Sequence, residues 1–189
     1  MAGHSAFRPI VTTTPGLYQT IGRRRCLALA QERWHDWFGP DEVAQVHAAI
    51  DRFPDDVASI NRPVTLIHGD PRSDNILYRD DDHVVLLDWA LVANAHPAFD
   101  IGYLLSSCLL PENAGAKRRL VDHYAGVLAA LGVDADPADL HATVDATYRS
   151  LVVQQLMSIA VLHGDDYAGQ KIFDLWMPRL LAGLAAPGG

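Results

Sequence analysis

Two apolar runs, Val64–Ile67 and Val84–Leu87, are short, rich in β-branched residues and bounded by polar clusters, the pattern of strands. Their shortness and apolarity predict a place in a core. Arg79-Asp80-Asp81-Asp82-His83 before the second run reads as a solvated hairpin tip, because Asp tolerates turn conformations. Elsewhere the apolar positions recur at helical spacing. A helix is expected from about Cys26 to Trp37, and another from Pro40-Asp41 to Phe53-Pro54, carrying Val43, Val46, Ala49 and Ile50 on one face. From Pro97 the chain turns helical: Pro97–Leu110, Asn113–Leu131 with Leu120, Tyr124, Val127, Leu128 and Leu131 as its stripe, Pro137–Leu162, and Ala168–Leu184 with Pro178 threatening a kink. Met1 to about Ile21, with Pro9 and Pro15, reads as extended or poorly ordered. The expected fold class is α+β, predominantly helical.

Each strand delivers a polar cluster at its C-terminal end. The first delivers His68-Gly69-Asp70, with Asn75 five residues beyond the aspartate; the second delivers Asp88. A carboxylate, a carboxamide and a second carboxylate brought together suit phosphoryl transfer, which needs one group to orient a hydroxyl and two oxygen ligands for magnesium. Asp88, preceded by an apolar strand and followed by Trp89, is expected in buried backbone, where a carboxylate needs a partner or a metal. A second His-Gly-Asp, at His163-Gly164-Asp165, has Gln170 where the asparagine would fall and no strand pair after it, and reads as a helix end.

The segment His68-Gly69-Asp70-(Pro71-Arg72-Ser73-Asp74)-Asn75-Ile76-Leu77, followed by Leu86-Leu87-Asp88-Trp89, resembles the catalytic core of the aminoglycoside phosphotransferase and choline kinase-like family, distant relatives of protein kinases. The resemblance implies a protein-kinase-like C-terminal lobe with a β-hairpin carrying the catalytic loop. It makes Asp70 the hydroxyl-orienting base, and Asn75 and Asp88 the ligands of Mg²⁺ and, through it, of ATP as co-substrate. Arg72 stands where protein kinases often carry a lysine for the transferring phosphate, although pairing with Asp74 on the surface is an equal alternative. His68 would anchor the loop, and Asp100, near a helix start, would brace it through backbone N–H groups.

Members of that family carry a preceding nucleotide-binding lobe, with a Gly-rich hairpin and a lysine on its third strand. Both lysines here, Lys117 and Lys171, follow the motif, and no Gly-rich hairpin precedes residue 60. The expected organisation is an N-terminal segment over 1–39 and a kinase-like C-terminal lobe over 40–189, with the nucleotide lobe absent and ATP held weakly by this chain alone. Two alternatives stand beside the transferase: a non-catalytic kinase-like binding module or truncated gene product, and, less well supported by ligand spacing, a metal-dependent hydrolase using His68, Asp70 and Asp88.

Composition narrows the partners. A net charge of -8 argues against nucleic-acid and anionic-membrane surfaces; it suits a cationic hydroxyl acceptor or serves solubility alone. Arg23-Arg24-Arg25 reads as a solvated helix start rather than an anion site. Cys26 and Cys108 form no disulfide or zinc pattern and read as reduced core thiols, and no signal peptide or bilayer-length apolar run is seen, so a cytoplasmic protein is expected. A lobe without its partner would expose apolar surface and favour self-association or a partner that supplies the missing half.

Overall fold

The computed structural model describes residues 22–33, 35–62, 65–80, 83–162 and 169–185. It contains helices α1 (Arg23–Arg33) and α2 (Pro40–Ile60), strands β1 (Thr65–Ile67), β2 (Ile76–Asp80), β3 (His83–Leu86) and β4 (Ala93–Ala95), and helices α3 (Ala98–Cys108), α4 (Lys117–Ala130), α5 (Pro137–Leu162) and α6 (Gly169–Ala185). Short 3₁₀ turns cover His35–Trp37, Ser73–Asn75, Trp89–Leu91 and Pro111–Ala116. The mixture is helical with two small antiparallel sheets, in line with the α+β expectation. The segment before Gly22, the acidic tip at 81–82 and the second His-Gly-Asp at 163–165 lie outside the described residues.

The core forms around α5, which packs against α1, α2, α3 and α6. Leu140, Val144, Tyr148, Leu151, Val152 and Leu156 are all buried, so this helix is surrounded along most of its length. No helix among the described residues is long and apolar enough to cross a membrane.

Helix α2 corrects the sequence expectation, which ended it at Phe53-Pro54: it runs through Pro54 to Ile60. An interior proline costs about 3 kcal/mol. Continuing the helix buries Ile60 completely, which contributes about 1.5–3 kcal/mol, and brings buried Asp56 onto Arg149 of α5. Helix α4 is shorter than expected, and its stripe is displaced. Lys117 and Val121 are buried, with Tyr124 and Leu128 partly so, whereas Leu120, Val127 and Leu131 are exposed. The chain before it, Pro111–Ala116, winds as 3₁₀.

Lys117 sets that register. Its ammonium bonds Asp145 Oδ1 at 2.9 Å and the Gly183 carbonyl at 2.8 Å, and sits over the Tyr148 ring. A Cβ on Gly183 would collide with that same ring. Gly183→Ala is therefore expected to destabilise the protein by about 1–3 kcal/mol, read as a lower urea midpoint; an unchanged midpoint would mean the α5–α6 contact is loose there.

The strands are where burial departs most from expectation. β2 and β3 form a hairpin, with Leu77 opposite Val85 and Tyr78 opposite Val84, but most of its residues are exposed. Leu77, Tyr78, Val84, Leu86, Leu87, Trp89 and Leu91 form part of an apolar surface rather than a core. Among the described residues no helix makes more than slight contact with this hairpin. β1 pairs with β4, placing Ile67 opposite Ala93. The Ala93-Asn94-Ala95 strand is too short for its alternation to announce it. Cys108 is exposed, correcting its reading as a core thiol, while Cys26 is buried.

Candidate active site

The loop after β1 is fixed by one carboxylate from α3. Asp100 Oδ2 accepts the His68 backbone N–H at 2.7 Å and Oδ1 accepts that of Gly69 at 3.0 Å. Gly69 has φ 87, a left-handed conformation that costs glycine little. Burial raises the Asp100 pKa, while the two N–H bonds pull it back. The brace expected of Asp100 is thus present in the geometry.

His68 ties the loop to the segment carrying Asp88. Its Nδ1 accepts from the Asp70 N–H at 3.2 Å, so the proton sits on Nε2, which donates to the Leu87 carbonyl at 2.8 Å. Its ring also lies 4.6 Å from that of Trp89, centroid to centroid. The histidine is buried and connects two backbones.

Asp70 lies at the loop's centre, buried, with three groups on it. Asn75 Nδ2 donates to the Asp70 carbonyl at 2.8 Å and to Oδ2 at 3.2 Å, commits its donors, and leaves its own Oδ1 for other partners. Arg72 Nε stands 3.0 Å from Asp70 Oδ1. The N–H does not point along that line: both atoms are buried without a hydrogen bond, so the contact is an ion pair with its hydrogen bond unmade. Arg72 thus pairs with Asp70 and not with Asp74, as the sequence left open. The third group is Tyr103, one turn after Asp100 on α3; burial first, then the Asp70 charge, pushes its phenol well above its usual pKa. Sequence reasoning missed Tyr103, although the three-residue spacing from Asp100 places both on one helix face.

Asp88 follows Leu87, whose N–H bonds the Asn75 carbonyl at 2.8 Å, so the backbone before Asp88 is tied to that of Asn75. Asp88 itself is exposed, against the expectation of a buried site, because the strand before it lies on the surface. It adopts φ 57, a left-handed conformation that Asp accepts better than most residues, and its Oδ1 receives the Ala90 N–H at 3.3 Å. No hydrogen bond joins its carboxylate to Asp70 or Asn75.

Beside Arg72 opens a recess of about 210 Å³ lined by Arg72, Ser73, Asp74, Ser107, Trp176 and Arg179. Trp176 Nε1 donates to Ser106 Oγ at 3.2 Å, and Arg179 donates to the Ser107 carbonyl, so α6 builds the far wall. Nothing in the local sequence of α6 marked these two residues.

No group of three or more His, Cys, Asp or Glu side chains able to hold a metal occurs among the described residues, which leaves the three-residue hydrolase cluster without support here. No curated protein and no solved structure matches the chain. The family match does: it runs from residue 13, through the loop, the hairpin, Asp88 and Asp100, to His141 at the start of α5, and by it the chain belongs to the Phosphotransferase enzyme family.

Proposed function

We propose that the protein transfers the γ-phosphate of ATP, with Mg²⁺, to a hydroxyl of a small molecule seated in the recess beside Arg72. The observation that carries this reading is the Asp70–Arg72 pair: opposite charges 3.0 Å apart, with the hydrogen bond between them unmade. Arg72 is placed to leave Asp70 for the transferring phosphate, and Asp70 to take up the acceptor hydroxyl in its stead. Asn75 Oδ1 and the exposed Asp88 carboxylate are hard oxygen donors left without strong protein partners, which fits a magnesium ion completed by phosphate and water. When bound, that ion neutralises charge on the phosphates. His68 and Asp100 hold the loop.

Two guanidinium groups and one carboxylate line the recess, so an acceptor bearing a negative group is served there as well as the cationic one that the net charge suits. Lys117 is tied to Asp145 and Gly183 and is not free to hold a phosphate. The exposed apolar residues of the hairpin and of Trp89–Leu91 offer a face on which a nucleotide-binding lobe of a partner, or a second copy, would close over ATP.

Calorimetry with MgATP tests the nucleotide half. Asp88→Asn keeps the left-handed backbone accessible and removes the charge. It should weaken binding by about tenfold or more; no binding by the wild type, or equal binding by both, sinks the assignment. Binding without transfer to any hydroxyl would favour the kinase-like binding module.

A further inference from the structure

A second cavity, of about 730 Å³, shares no lining residue with the recess. Neither Asp70, Arg72, Asn75 nor Asp88 lines it; Asp100 does, with the same carboxylate that holds His68 and Gly69. Its size falls in the range of small-molecule sites, and its walls have their composition: Leu66, Ile67, Ile101, Leu128 and Val133 with the ring of Tyr124.

The charge of the cavity is one-sided. Asp100, Asp134, Asp136 and Asp139 line it, against one arginine, Arg62. Arg62 is already committed, to Asp139 at 2.7 Å and to the Ser59 carbonyl at 3.1 Å. His96 is spent as well: its Nδ1 accepts the Ala98 N–H at 3.2 Å and its Nε2 bonds Asp139 at 2.8 Å. Asp136 caps α5 through the Ala138 N–H, and Asp134 has no hydrogen-bond or ion-pair partner among the described residues. Arg62 and His96 both meet Asp139, and no ion pair reaches Asp100, Asp134 or Asp136 among the described residues.

We propose that this cavity binds an organic ammonium ion, its apolar or aromatic body against Ile101, Leu128 and Tyr124 and its charge among Asp100, Asp134 and Asp136. Burial raises the Asp100 pKa, a cost to its charged form that a cation beside the carboxylate offsets. The ring of Tyr124 adds a face that attracts cations. Because Asp100 also holds the catalytic loop, an ion bound here acts on the atoms that keep His68 and Gly69 in place. The test of binding does not depend on phosphoryl transfer.

The full chain is titrated with dansylcadaverine, a fluorescent ammonium, and with its N-acetylated, uncharged form. The ammonium should bind saturably and about fivefold or more tighter than the neutral probe. Val133 and Asp134 are exposed, so substitutions there leave the packing alone. Asp134→Asn should weaken the ammonium about two- to fivefold and Val133→Arg at least as much, both leaving the neutral probe unchanged. Absence of saturable binding overturns the proposal, as do equal affinities for the two probes. So does ammonium binding that survives Val133→Arg but is lost in Asp74→Asn, which would put the ion in the recess beside Arg72.

Discussion

Asp70→Asn is expected to lower phosphoryl transfer by about 10²- to 10⁴-fold, the range over which a positioned acid–base group contributes. The substitution preserves size and keeps an oxygen facing Asn75 Nδ2, so the loop, held by Asp100 through His68 and Gly69, should retain its shape. What is lost is the charge that meets Arg72 at 3.0 Å and the acceptor's hydroxyl proton. MgATP hydrolysis, with water standing in for the acceptor, gives a readout that needs no knowledge of the substrate. Circular dichroism on the same preparation separates loss of chemistry from loss of fold. Activity within about threefold of wild type, in a folded variant, would mean Asp70 does not orient the acceptor.

Asp56→Ala is expected to cost about 3–5 kcal/mol of stability, the usual penalty for stranding one half of a buried ion pair. Arg149 Nε and Nη2 each reach a different oxygen of Asp56 at 2.8 Å, a bidentate clasp between α2 and α5. The Asp56 side chain is 3% exposed and that of Arg149 22%, so little water can replace the lost partner. The hydrogen bonds to Asp56 also hold the Arg149 pKa above its usual value despite burial. Arg62–Asp139 is the internal contrast. Its distance is similar, 2.7 Å, but its side chains are 52% and 39% exposed, and solvent screening leaves it worth little. Equilibrium urea unfolding checks the difference; a loss under about 1 kcal/mol for Asp56→Ala would mean α2 and α5 are held by packing alone.

Residues adjacent in sequence told the most. The spacing from Asp70 to Asn75 is short enough for one loop to close on itself, and a single turn at Ser73–Asn75 brings the carboxamide back onto Asp70. The polar tip and the apolar run after it were legible for the same reason, both being local, whereas Ile76–Asp80, the strand that run pairs with, was given no bounds from the sequence. Burial was harder to read. Val84–Leu87 has a core composition and lies on the surface, and Leu120 and Val121 trade places because Lys117 is pulled inward by Asp145 and Gly183. Hydropathy reports what a side chain prefers, whereas burial also needs a neighbour to cover it.

The sequence by itself determined the phosphotransferase loop, the predominance of helix after Pro97 and the sign of the net charge, because each is written in neighbouring residues or in their sum. Only the tertiary structure decided that Arg72 faces Asp70, that Tyr103, Trp176 and Arg179 surround that pair or its recess, and that Asp88 stands at the surface. Tyr103, Trp176 and Arg179 come from helices more than thirty residues further along the chain, and Asp56 waits for Arg149 across 93 positions. Contacts at such separations depend on how whole helices pack, and no local pattern of polar and apolar positions encodes which side chain will be waiting on the other side.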